Sequence, residues 1–326
     1  RADRKHAEEI LREFDLSDSS RGITVPIDPD APVCEGDEEL LEGKEITRYR
    51  GLSARVNYLG QDRCDVQFSA KTLSRGMAKP TQGDLGKMKR FARYLLEVPE
   101  GIIRYGSAAR KMDKVMVYVD SDWAGCKVTR KSTSGGAATW DGGLLKSWST
   151  TQGTVALSSG EAEFYAAVKG CKEGIGLKAL LADLGVEVKV EVIQDSTAAK
   201  GTMSRAGIGK VKHLDTGWLW VQEVVKSGLV VLRKINGKVN PADLLTKPKS
   251  AAEAARLSSS LGYELVMKNR TVKGETFTGM IRRWMKGDRR DAAEKAETVD
   301  WWVDERWQGW RHGGAREMSM MEPAMQ

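Results

Sequence analysis

An acid at the end of an apolar, β-branched run is a demanding thing for a chain to carry, and this chain carries it repeatedly. Val117-Tyr-Val-Asp-Ser-Asp-Trp-Ala-Gly125 opens with β-branched and aromatic residues and reads as a short buried strand. It ends in two acids and a glycine. A carboxylate at that place is held rigidly and faces a ligand. Three later segments set an acid beside an apolar run. Glu161-Ala-Glu163 opens a helix, Val192-Ile-Gln-Asp195-Ser196 ends a strand, and Asn240-Pro-Ala-Asp243-Leu-Leu245 opens a helix. Buried charges are paired or coordinate a metal. The expectation is that these acids meet in space and bind one.

The elements around them give the fold class. Val115–Val119 is a strand, Ser132–Trp140 a second and Leu144–Ser149 a third. Asp141-Gly142 between the last two is a strong hairpin signal. A long helix starts at Ser158, which stands three residues before Glu161 as in a capping box, and stops at Gly185. Val188–Ile193 is a fourth strand, Ser196–Met203 and Asp215–Lys226 are helices, Leu229–Ile235 is a fifth strand, and Pro241–Thr246 begins a last helix with Pro just inside its start. Three antiparallel strands followed by βα units predict an α/β fold: a mixed five-stranded sheet with helices on its faces.

The flanks differ. Residues 5–15 have an amphipathic helical pattern with Ala7, Ile10, Leu11 and Phe14 on one face. Residues 16–44 are a polar linker with Pro26, Pro29 and Pro32. Residues 45–75 are helical, broken near Gly60 to Asp65, and residues 82–97 are helical with a basic face of Lys87, Lys89, Arg90 and Arg93. Ile102–Tyr105 is a short leading strand. Residues 251–262 have a helical pattern. From about residue 270 five tryptophans stand among many charges without a period, which predicts a poorly ordered tail.

Composition narrows the partners. The 326 residues suggest about two domains. A net charge of +7 tilts the chain toward a polyanion. No apolar run approaches the roughly 20 residues of a membrane span. Cys34, Cys64, Cys126 and Cys171 are scattered, with no Cys-x-x-Cys and no matching histidine set. Free thiols in a reducing compartment are expected rather than zinc. The chain begins inside a helical pattern without Met and reads as a piece of something longer.

Tyr118-Val-Asp-Ser-Asp-Trp-Ala-Gly125, Arg130-Lys-Ser-Thr-Ser-Gly135, Val155-Ala-Leu-Ser-Ser-Gly-Glu-Ala-Glu163, Lys212-His-Leu-Asp215 and Ala242-Asp-Leu-Leu-Thr-Lys-Pro248 closely resemble the ribonuclease H domain of copia-type LTR retrotransposon Pol polyproteins. Arg48–Leu59, Gln67–Lys71, Leu73–Arg75 and Lys89–Leu95 resemble the end of the reverse transcriptase in that family. The resemblance implies three parts. Residues 1–109 would be a thumb- or connection-like remnant with its linker at 16–44, residues 110–250 a ribonuclease H-like domain, and residues 251–326 a charged, Trp-rich tail. A thumb-like remnant is expected to expose apolar surface. The polymerase motif, Tyr or Phe followed by Asp-Asp, is absent, so no polymerase site is expected.

The family uses four carboxylates and two divalent ions, usually Mg2+, with Mn2+ as the other candidate. By position the acids are Asp120, Glu163, Asp195 and Asp243. Glu161 and Glu163 cannot both face the sheet, and Glu163 with Phe164 and Ala166 resembles the family's helix start, leaving Glu161 as the cap. Asp122 stands behind the acids as support. The implied reaction is endonucleolytic hydrolysis of the RNA strand of an RNA–DNA hybrid. Arg130, Lys131, Ser132, Thr133 and Ser134 would read the hybrid through phosphates and 2′-hydroxyls. No histidine lies between Ile235 and Asp243; Lys238 and Asn240 stand there instead, and His213 reads as structural. The partners implied are the hybrid and the upstream reverse transcriptase portion of the same polyprotein. The location implied is cytoplasmic, in a retrotransposon particle, or nuclear. Two other readings stay open: an inactive nucleic-acid-binding or assembly module from a decayed element, and an integrase or transposase of the same general fold. The last is disfavoured by a glutamate helix lying between the two aspartate strands.

Overall fold

A computed structural model describes residues 4–28, 39–105, 113–207, 209 and 216–268. Its central element is β2, Lys114–Ser121. Strand β3, Thr133–Trp140, returns antiparallel to it, and β4, Gly143–Thr151, follows antiparallel to β3. The β3–β4 turn has positive φ at Asp141 (50°) and Gly142 (77°), the backbone that a two-residue hairpin with an Asp-Gly tip requires. Helix α5, Ser159–Asp183, then crosses to β5, Lys189–Gln194, parallel to β2. It ends at Gly185 (φ 78°), where the Val186 N–H donates to the Leu181 carbonyl at 2.8 Å, a glycine stop. Helix α6 spans Thr197–Ser204. The segment expected as one helix to Lys226 is a 3-10 turn, Thr216–Trp218, and then α7, Trp220–Lys226. Strand β6, Val230–Lys234, pairs parallel to β5. The sheet order is β4-β3-β2-β5-β6, the mixed five-stranded α/β sheet that the sequence predicts.

The sheet is covered differently on its two faces. Val115, Val117 and Val119 of β2, with Val190 and Val192 of β5, are buried against α5. The helix comes close because it carries glycine where it meets the strands. A Cβ on Gly170 would lie 2.4 Å from Val119 Cγ1, and one on Gly174 2.6 Å from Val190 Cγ1. Each buried valine contributes about 1.5–3 kcal/mol. The alternate residues of β2 face the other way. Tyr118, Ala137, Leu144 and Ile193 pack with Leu245, Leu257, Leu261, Tyr263 and Cys64. The cover there is assembled from both ends of the chain.

One of those ends is the N-terminal helical part. Helices α1 (Arg4–Glu13), α2 (Gly43–Asp62), α3 (Gln67–Arg75) and α4 (Gln82–Glu97) enclose Ile10, Tyr49, Val56, Met88, Phe91 and Leu95. Thr81 caps α4 in a capping box with Asp84. Among the described residues up to Tyr105, the exposed large hydrophobics are Leu40, Tyr58, Ile102 and Tyr105. A buried cluster ties this part to the C-terminal end. The Asp65 carboxylate accepts from Arg63 Nη2 (2.6 Å), Tyr94 Oη (2.6 Å) and Tyr263 Oη (2.9 Å). The other end is α8, Ala251–Ser260, and β7, Tyr263–Val266. The sequence reading assigned these residues to the tail. The leading strand β1, Glu100–Ile103, does not join the large sheet; it pairs antiparallel with β7.

Candidate metal centre

The register of two parallel strands builds the site. Tyr118 of β2 lies opposite Ile193 of β5, so Asp120 and Asp195, each two residues on, reach the same edge together. Helix α5 starts over that edge and brings Glu163 from its second turn. One carboxylate oxygen from each of Asp120, Glu163 and Asp195 lies within 4.8 Å of the others. A Cβ on Gly237 would lie 2.5 Å from Asp195 Oδ2, so the glycine leaves room for the carboxylate in this orientation.

The segment expected to begin a helix at Pro241 is a 3-10 turn, Pro241–Leu245. Asn240, fully buried, fixes it: its Nδ2 donates to the Val119 carbonyl at 2.9 Å and its Oδ1 accepts from the Ala242 N–H at 3.2 Å. The turn lies flat on β3. Gly135, opposite Asp120, has no Cβ to collide with Leu245 and Thr246. That approach delivers the buried Thr246 hydroxyl to Asp120 Oδ2, to which it donates.

Asp243 is placed apart from the other three. Lys247 Nζ lies 2.6 Å from its Oδ1, and Lys249 Nζ binds its Oδ2. Burial alone would raise the Asp243 carboxyl, but the two lysines win and hold it below the usual carboxylate range. The other acids go up. Burial pushes Asp120 to about 7, against the Thr246 hydroxyl and Lys247 and with help from Asp243 and Asp195. Burial, then the charges of Asp120 and Asp195, pushes Glu163 to about 9. Burial also raises Asp195.

The donor set fits a hard divalent cation. Its atoms are carboxylate oxygens, the ligands that Mg2+ and Mn2+ prefer. Glu163 Oε2 is buried and makes no hydrogen bond of good geometry, with the Ser121 N–H and hydroxyl as the donors that face this carboxylate. A poorly satisfied buried acceptor is costly, and a cation lowers that cost.

The remaining candidates have other work. Glu161 Oε2 accepts from the Leu157 N–H (2.9 Å) and its Oε1 from Tyr165 Oη (2.7 Å), at the start of α5. Asp122 accepts from the Thr133 backbone N–H and from Thr133 Oγ1 (3.0 Å) and closes the β2–β3 loop. Of the five substrate candidates, Arg130 is exposed and Lys131 partly so, whereas Ser132, Thr133 and Ser134 are buried. Ser132 Oγ accepts from the Ala124 N–H (3.0 Å) and Ser134 Oγ from Gln152 Nε2 (3.0 Å). Those hydroxyls are engaged inside the fold because β3 lies between two neighbouring strands. Lys238 is exposed, and His213 lies outside the described residues. The sequence reading overlooked Thr246, Lys247 and Lys249 at the acids, although Thr246-Lys247-Pro248 stood in the motif, and Lys71 of α3, whose Nζ lies 2.8 Å from Thr133 Oγ1.

No protein-family model matches the chain. Curated relatives do. Over 191 residues, 57% of this chain, it is 34% identical to a retrovirus-related Pol polyprotein from transposon TNT 1-94 of Nicotiana tabacum. Over 257 residues, 76% of this chain, it is 28% identical to the Pol polyprotein from transposon RE1 of Arabidopsis thaliana. Both relatives are retrovirus-related Pol polyproteins of plant transposons, and this chain is similar to their kind. The chain spans 14% and 17% of the length of those two relatives. Among solved structures, LC11-RNase H1, isolated from compost by a metagenomic approach, is 21% identical with a TM-score of 0.34, over 41% of this chain and 94% of that one. Among the described residues of this chain, no helix is long and apolar enough to cross a membrane.

Proposed function

We propose that this chain is a ribonuclease H that hydrolyses the RNA strand of RNA–DNA hybrids with divalent metal. In this reading residues 1–109 are the end of the polymerase part of the polyprotein and residues 110–250 the nuclease. The upstream polymerase portion is its natural partner, and a retrotransposon particle its setting. The observation that carries the reading is the convergence of the Asp120, Glu163 and Asp195 carboxylates from three separate elements.

Asp120, Glu163 and Asp195 would hold the metal, and Asp243 would complete a second position. When bound, Mg2+ or Mn2+ activates a water toward phosphorus and stabilises the leaving 3′ oxygen. The chain's own residues prepare for that. Thr246 fixes the orientation of the Asp120 carboxylate, and the bare Gly237 admits Asp195. Arg130 and Lys131 lie in the loop after the acid cluster, where cationic side chains meet backbone phosphates. The buried Ser132, Thr133 and Ser134 hold that loop rather than the substrate. The expected products are a 5′-phosphate and a 3′-hydroxyl on the RNA strand.

The test is cleavage of a labelled RNA–DNA hybrid by the full chain with Mg2+. Asp195→Asn, EDTA and double-stranded RNA serve as controls. Cleavage of hybrid RNA alone, abolished by the variant and the chelator, supports the reading. Hybrid that is bound but never cut, in Mg2+ or Mn2+, would overturn it in favour of a binding or assembly module.

A further inference from the structure

The loop between β2 and β3, residues 122–132, carries Trp123, 55% exposed, and the exposed Arg130. Its backbone is not relaxed. Ala124 (φ 53°) and Arg130 (φ 56°) hold left-handed conformations without being glycine. Such backbone persists only where surrounding contacts over-determine it. Those contacts start at Asp122. Its carboxylate accepts from the Thr133 N–H and, at 3.0 Å, from Thr133 Oγ1, and its own N–H donates to the Thr133 carbonyl at 3.2 Å. Gly125 folds over the carboxylate and has no Cβ to strike it. Inside the loop the Ala124 N–H donates to Ser132 Oγ (3.0 Å) and the Arg130 N–H to the Cys126 carbonyl (2.8 Å).

The helical part enters this network at Thr133. Lys71 of α3, 62 residues earlier, brings its Nζ to 2.8 Å from Thr133 Oγ1. An ammonium has donors only, so Lys71 donates, and the buried threonine hydroxyl turns its own hydrogen to Asp122. The chain Lys71–Thr133–Asp122 therefore runs in one direction. The charges of Lys71 and Arg75, one turn apart on α3, also attract the Asp122 carboxylate. Two contacts seat the helix. The Lys71 ammonium lies over the Phe68 ring, 4.4 Å from its centroid, and Gln67 Nε2 reaches the Ser147 carbonyl of β4 at 3.3 Å. Removing the ammonium takes opposing charge from a half-buried carboxylate. A strained loop is the softest part that can yield to that loss.

We infer that Lys71 is a positioning residue for the nuclease: from the helical part it holds the β2–β3 loop in the shape that presents Trp123 and Arg130 to the hybrid. This rests on the proposed nuclease activity. Lys71 acts through Thr133 and Asp122 and does not meet the substrate. Hybrid affinity then depends on a side chain that lies outside residues 110–250.

The experiment compares the full chain as wild type, Lys71→Met, Thr133→Val and the double variant. Each is followed by hydrogen exchange of peptides covering 122–132 and by steady-state hybrid cleavage with Mg2+, with circular dichroism as the check on folding. In Lys71→Met, exchange at 122–132 should speed up about tenfold while β2 and β5 keep wild-type protection. The KM for hybrid should rise about fivefold, with kcat within about twofold of wild type. The double variant should be no worse than the worse single one, since both cut the same chain. If Lys71→Met misfolds, Lys71→Gln serves in its place. A raised KM with unchanged exchange would overturn the inference and make Lys71 a direct phosphate contact. Unchanged exchange and KM in a folded variant, or faster exchange at an unchanged KM, would overturn it as well. A wild type that never cuts hybrid would overturn the nuclease reading; the exchange rates need no activity and would still decide whether Lys71 holds the loop.

Discussion

Replacing Asp65 by Ala tests whether the helical part and the sheet are one cooperative body. The carboxylate is enclosed and accepts four hydrogen bonds: Arg63 Nε (3.2 Å), Arg63 Nη2 (2.6 Å), Tyr94 Oη (2.6 Å) and Tyr263 Oη (2.9 Å). Each bond to a charge is worth about 1.5–3 kcal/mol in isolation, but they share one acceptor and do not add. The dominant loss is electrostatic. Arg63 remains buried, with one other bond, from Nη1 to the Pro99 carbonyl at 3.2 Å. Breaking a buried pair and stranding one charge costs about 3–5 kcal/mol. At roughly 2–4 °C per kcal/mol for a body of this size, the melting temperature should fall by about 10 °C. The pH dependence has a definite sign. Burial would raise the Asp65 carboxyl, but Arg63 and the two tyrosine hydroxyls hold it below its ordinary 3.8. Its contribution is therefore complete above that value and is lost as the pH falls below it. Urea unfolding gives the energy, and hydrogen exchange of strand peptides gives the reach. Asp65 and Tyr94 lie in the helical part, whereas β2 and β5 lie in the sheet. Amides of β2 and β5 should lose protection together with those of α2–α4. A loss below about 1 kcal/mol, or weakened helices beside strands of wild-type protection, would refute the argument.

Three further outcomes follow from the same structure. Asp120 and Glu163, raised by burial to about 7 and about 9, keep protons in the folded state that the unfolded chain has released; the metal-free protein should therefore lose stability as the pH rises from about 5 to 9. Melting in EDTA across that range checks it, and a flat or rising curve would contradict it. Thr246→Val removes the hydroxyl that orients Asp120 and should lower the initial rate of hybrid cleavage about 10–100-fold; a rate within twofold of wild type speaks against that role. A fragment of residues 110–250 lacks Cys64, Leu257, Leu261 and Tyr263 from the second face of the sheet. It should bind a hydrophobic dye and melt without a sharp transition, whereas residues 1–268 should melt cooperatively.

What could be read from the sequence was what neighbours along the chain decide. The Asp141-Gly142 hairpin, the Gly185 stop and the break between α2 and α3 each depend on a few adjacent residues. Acids beside apolar runs stand out in the sequence, but the choice of Asp120, Glu163 and Asp195 among them, and of Glu163 over Glu161, came from the family resemblance. What escaped depends on distant partners. Nothing near Tyr263 announces that its strand pairs with β1, some 160 residues earlier. Nothing near Cys64 says that it covers the sheet. The run Ser132–Ser134 looked like surface because it is polar. It is buried because Ala124, Asp122 and Gln152 satisfy its hydroxyls. The Pro241 segment was expected to be α-helical. The side chain of Asn240 fixes its start, and Pro248 disfavours helix at the residue before it.

The pairing of β1 with β7 bears on how a polyprotein of this kind can be cut. In the proposed reading the end of the polymerase part and the nuclease are joined in the chain between β1 and β2, and a protease acting there would sever one peptide bond. It would not part the products. Strand β1 would remain hydrogen-bonded to β7, and Asp65 would still hold the hydroxyl of Tyr263. The nick would leave a two-chain particle in which the five-stranded sheet keeps the N-terminal helical part as a non-covalent subunit.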